Sequence, residues 1–161
     1  MKFTDRHQEQ FVFELNEQEK NLLLVILNLF PQVPVSHHRL SQDKNDLPDD
    51  GANQRLLEES LKAQKDESQK WVAAMFQEAE RFKPGANGFS LTVTRPEIET
   101  LLQIFNDVRI GSWLALGSPD LERKKELKLN QQNAPFLQRM ELAGLFEMFF
   151  LKVIHDQAAG W

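Results

Sequence analysis

A mainly α fold with minimal β structure (α+β in the strict sense) is what this chain predicts, and three observations predict it. Residues 11–28 and 89–106 repeat one short text, with Phe11/Phe89, Glu19/Glu97, Leu23/Leu101, Leu24/Leu102, Ile26/Ile104 and Asn28/Asn106 identical in register. Each copy alternates apolar and polar residues, offers a capping residue with Glu three later, and then turns apolar at helical spacing. Long helical stretches, residues 52–82 and 134–158, complete the two halves. The expectation is a single domain over residues 1–161. It would be a pseudo-two-fold helical body of two strand-helix-helix repeats, 11–83 and 89–158, whose two short strands pair with each other.

In chain order, Phe11, Phe13 and Leu15 point to one face of the first strand, with Val12 and Glu14 on the other. Phe3 is placed to add a third short strand by a hairpin back onto residues 11–13. Asn16 caps the first helix and Glu19 closes the capping box. Residues 22–27, with Leu29 and Phe30, are apolar on nearly every side, which predicts a central, buried helix. Pro31 and Pro34 end it. Residues 31–52 form a long polar loop of the kind that is mobile or functional. On the second helix, Leu57, Leu61, Trp71, Val72, Met75, Ala79 and Phe82 share one stripe. Gln64 and Ser68 interrupt it, so residues 64–70 are expected to leave the core for solvent or a partner.

Residues 83–88 read as a turn. Phe89, Leu91 and Val93 make the second strand; Thr94, Pro96 and Glu97 start the third helix, and Gly117 ends it. A charged connector, residues 120–133, leads to Asn133, which is expected to cap the last helix, residues 134–158.

Composition bounds the function. The chain has 161 residues, 24 acidic against 19 basic side chains, and a net charge of -5, a field that opposes nucleic acid. Cysteine is absent, which removes disulfides, thiolate nucleophiles and Cys-based zinc sites. No unbroken apolar run exceeds six residues, against the roughly 20 a spanning helix needs. With no segment resembling a signal peptide at the start, a cytoplasmic protein is the expectation. His37-His38 lacks a third ligand at metal spacing, and residues 43–51 resemble a calcium loop only in composition. No phosphate loop, nucleophile elbow or zinc-protease helix occurs. Neither a cofactor nor catalysis is expected.

Two charges stand out by position. Arg109 falls within the apolar stripe of the third helix, and Glu147 within that of the last, among Phe136, Met140, Ala143, Gly144, Phe150, Leu151 and Ile154. Opposite charges in two apolar stripes predict that they meet as a buried ion pair that fixes how the helices cross. The alternative is that Arg109 lines a cleft and receives an anionic ligand. Asn106 borders the same stripe and reads as a helix-contact residue. Asp107 falls on the opposite, polar face and reads as a solvated charge.

Asn106-Asp107-Val108-Arg109, in a helix that starts Thr94-x-Pro96-Glu97 and ends Leu116-Gly117, resembles a bacterial domain-of-unknown-function family. Its members carry a similar Asn-Asp-Leu-Arg stretch followed by Leu-Gly. The resemblance covers residues 89–117 and the layout of a final apolar helix; Ile110-Gly-Ser-Trp113 and the His37-His38 loop depart from it. Members are often encoded beside the ClpS protease adaptor, so the resemblance implies a small helical protein of regulatory or adaptor type. It implies no catalytic residues.

The expected function is therefore a non-catalytic, cytoplasmic protein-interaction or regulatory module. Its partner would be another protein, such as a protease adaptor, or a second copy of itself; neither nucleic acid nor a membrane is expected. A small anionic-ligand binder or enzyme using Arg109 is the alternative. The candidate binding residues are Arg109, Glu147, Asn106 and Asp107.

Overall fold

The computed structural model describes residues 1–37, 50–78, 80–120, 122 and 127–158. In order, these form β1 (Lys2–His7), β2 (Gln10–Leu15), α1 (Glu17–Leu29), a short 3-10 turn (Val35–His37), α2 (Asp50–Gln77), β3 (Phe82–Gly85), β4 (Gly88–Thr94), α3 (Arg95–Ala115) and α4 (Ala134–Ala158). The strands make one antiparallel sheet in the order β1-β2-β4-β3.

This corrects the expected architecture. The protein is α+β with a four-stranded sheet, not a helical body of strand-helix-helix repeats joined by two strands. The central strands β2 and β4 are those the alternation marks, and Phe13 lies opposite Leu91. The third strand expected from Phe3 forms as β1, with Phe3 opposite Phe13, whereas alternation gives no sign of β3. β1 pairs with β2 from Lys2 to His7 with an irregularity between Phe3 and Asp5, and of its six residues only Phe3 and Arg6 are even half-buried. β3 reads Phe-Lys-Pro-Gly, a turn signal, yet pairs with β4 from Phe82 to Gly85. Charge and proline suit edge strands, because an edge leaves backbone groups that need no partner.

Both capping boxes form. The Asn16 and Thr94 side chains accept from the amides of Glu19 and Glu97, whose carboxylates accept from the cap amides in return. Gly117 takes a φ of +84° just beyond α3, the left-handed conformation that glycine adopts without a Cβ penalty. Asn133 stands just before α4 as expected, and its backbone carbonyl accepts from the Leu137 amide at 3.4 Å, but its side chain turns back toward residues 128–130. The side-chain amide accepts from the Asn130 N–H at 2.8 Å and donates to the Lys128 carbonyl at 3.0 Å.

The core lies between one face of the sheet and the helices, and phenylalanine joins the two layers. Phe13 of β2 meets Phe150 of α4 edge-on with centroids 5.0 Å apart, and Phe105 of α3 stacks on Phe150 at 5.7 Å. Phe146 stacks on the same Phe105 ring at 5.6 Å. Helix α1 buries Leu23, Ile26 and Leu27 but leaves Leu22 and Val25 exposed, so it covers the core from one side and is not enclosed by it. Helix α2 docks mainly through Val72 and Met75 near its C-terminal end.

Glu97 does more than close a capping box. Its carboxylate also binds Arg81, with Nη2 at 2.8 Å and Nη1 at 3.0 Å, and Arg81 reaches the Thr92 carbonyl at 3.1 Å. Burial raises the Glu97 carboxyl, but the Thr94 amide, the Arg81 guanidinium and the Thr94 hydroxyl outweigh it and hold the group below its ordinary value. A carboxyl depressed in the folded state contributes stability that is fully present above its unfolded value of about 4.3 and is lost as pH falls through the folded one. Urea denaturation as a function of pH is therefore expected to show a steeper acid decline for the parent chain than for Glu97→Gln. Parallel curves would mean the network contributes nothing to acid stability.

Candidate functional site

The four residues singled out by sequence fall into two places. Asn106 and Asp107 line a cleft of about 500 Å³ between α2, α3 and the segment after α1, together with Phe30, Leu61, Gln64 and Lys65. Arg109 and Glu147 lie elsewhere, on a shallow groove where α3 borders α4.

Asp107 is not the solvated charge its helical position suggests. Its side chain is only 8% exposed. One carboxylate oxygen accepts from the amides of Gln32 at 2.6 Å and Val33 at 3.3 Å; the other binds Lys65 Nζ at 2.7 Å. Lys65, 16% exposed, also donates to the Val33 carbonyl. Lys65–Asp107 is thus a buried ion pair, and it ties α2, α3 and the segment after α1 to one point. The polar middle of α2 is exposed as expected at Gln64, Asp66, Glu67, Gln69 and Lys70, while Lys65 and Ser68 are half-buried. Lys65 is drawn inward, and Gln64 Nε2 donates to Gln103 Oε1 at 3.0 Å. Of the polar loop foreseen at 31–52, residues 35–37 form the 3-10 turn, 50–52 belong to α2, and 38–49, including His38, lie outside the described residues.

Glycine makes the close approach possible. A Cβ on Gly111 would overlap Gln32 Cβ and lie 3.3 Å from the Gln32 carbonyl carbon. Beside it, the fully buried Ser112 hydroxyl donates to Gln32 Oε1 at 3.4 Å. Gly111→Ala is expected to push the segment off Asp107 and cost about 1–3 kcal/mol, as overpacking does. Adding Gln32→Gly removes the overlapping carbon, so the double variant should be more stable than the summed single effects in a urea titration. Strict additivity would sink this account.

Arg109 and Glu147 do meet, with Nε to Oε2 at 3.0 Å, and Arg109 Nη2 also donates to Asn106 Oδ1 at 2.9 Å. The pair is not buried as expected. Arg109 is 45% exposed, because it sits on the flank of α3 beside Gly144, where α4 offers no side chain to cover it. Leu151, placed by sequence in the buried stripe of α4, is likewise exposed. At that exposure, solvent screens an ion pair to about 0–1 kcal/mol, so it contributes little to fixing the helix crossing.

Among the described residues, no three His, Asp or Glu side chains converge as metal ligands. The cleft's two charged groups are engaged with each other and with backbone. Sequence reading missed Lys65, whose only local signal is its place in a polar interruption, and Gln32 and Val33, which act through their amides. A scan against protein-family models, a search of curated proteins and a search of solved structures each found no match to this chain.

Proposed function

We propose that this chain is a non-catalytic protein-interaction or regulatory module acting in the cytoplasm. The observation that supports this reading best is the outward flank of α4, where Leu145, Met148 and Leu151 are 61%, 65% and 49% exposed. Three large apolar side chains within seven residues of one helix are what a protein partner covers. Among the described residues no helix is long and apolar enough to cross a membrane, so this flank belongs to no spanning segment. The family that residues 89–117 resemble makes a protease adaptor the first heterologous candidate partner.

The second reading, a small anionic ligand held by Arg109, draws on the exposure of that side chain in the groove beside α4. Its guanidinium already donates to Glu147 and Asn106, which weakens that reading. One comparison separates the two. Tagged parent chain and Met148→Glu are used to retrieve partners from the native host, and both are screened for melting shifts with anionic metabolites. Partner capture that Met148→Glu abolishes supports the module. A metabolite shift that Arg109→Ala abolishes, with no protein retained, would replace it.

A further inference from the structure

Resting on the module reading, we infer that the outward flank of α4 is covered by a second copy of this chain, docked antiparallel through the same helix. Residues seven apart on a helix return to nearly the same direction. Two such rows run down the outward flank of α4: Gln138, Leu145 and Lys152, then Glu141, Met148 and His155, all exposed. They lie on the side opposite the buried Ala143, Phe146 and Phe150. Their spacing is that of the a and d positions of a coiled-coil seam.

The seam is apolar at its centre, acidic toward one end and basic toward the other. An antiparallel copy lays each row against the other row of its partner. Leu145 then meets the partner's Met148, Glu141 meets the partner's Lys152, and Gln138 meets the partner's His155. One two-fold axis satisfies every pair twice over, as an isologous interface requires. Parallel docking would instead oppose Glu141 to its own copy and Lys152 to its own copy, which like-charge repulsion disfavours. Leu151 and the Arg109 stem flank the seam and widen the apolar contact.

Light scattering on the full chain over a concentration series is expected to approach twice 18.7 kDa at the upper end. Met148→Glu sets a carboxylate against the partner's Leu145 and is expected to stay at 18.7 kDa with unchanged helicity. Glu141→Lys and Lys152→Glu should each weaken the dimer by about 2- to 10-fold, and the two together should restore it, because the swapped charges meet only across an antiparallel axis. A parent chain that is monomeric up to its solubility limit would overturn the inference. So would a dimer indifferent to Met148→Glu, or a double variant no tighter than the single ones. If the chain is monomeric yet Met148→Glu abolishes capture of a host protein, the second-copy inference fails and the module reading stands. If it neither self-associates nor captures a protein, both fail.

Discussion

Asp107→Ala is expected to remove about 3–5 kcal/mol of folding stability, a large share of the 5–15 kcal/mol typical of a domain. Two losses combine. The Lys65 ammonium, 16% exposed, is left without its carboxylate, and the Gln32 and Val33 amides lose their acceptor. Lys65→Met should cost less, because Asp107 keeps both amides when the ammonium is gone. Combining Lys65→Met with Asp107→Leu should recover part of the loss, since replacing both members of a buried pair avoids an uncompensated charge. Urea denaturation of the four chains measures this ranking. The same site governs the docking of α2 through its middle, so hydrogen exchange in Asp107→Ala should rise first there. An Asp107→Ala chain within 1 kcal/mol of the parent, measured at neutral pH, would show that the junction does not hold the fold together.

Phe150→Ala is expected to cost a similar amount, about 3–5 kcal/mol, for a different reason. This ring is fully buried and touches Phe13 of the sheet, Phe105 of α3 and its neighbour Phe149. Removing it opens a cavity where three elements meet, and no single element can move to fill it. Phe149 is only half-buried and meets Phe13 at 5.8 Å, so Phe149→Ala should cost clearly less. The comparison uses denaturant midpoints at matched slopes. A larger loss from Phe149→Ala would place the centre of the core elsewhere.

These two residues differ in how far sequence alone exposes them. Phe150 recurs with Met140 and Ala143 at helical spacing, and a helix presents such residues to one side whatever lies there, although the stripe read from sequence left out the buried Phe146 and Val153. Asp107 carries the opposite local signal. It faces away from the apolar stripe of α3, and on a lone helix that face is wet. Its partners lie 75, 74 and 42 positions away, so no window of sequence contains the reason it is buried. The Arg109–Glu147 pair shows an intermediate case. Opposite charges in two stripes correctly imply contact, but exposure depends on the neighbour, and that neighbour is Gly144.

What the residue order determined by itself is local: where α1 and α3 begin, that β2 and β4 are strands, and that Phe11, Phe13 and Phe150 face inward. Capping acts across three residues and strand alternation across two, so both are complete within a few positions of the chain. Tertiary structure alone decided that Asp107 is buried with Lys65, and that Leu145, Met148 and Leu151 of α4 are left uncovered. Burial of a charge and exposure of an apolar side chain both depend on which distant segment arrives beside them, and nothing within a few residues encodes that arrival.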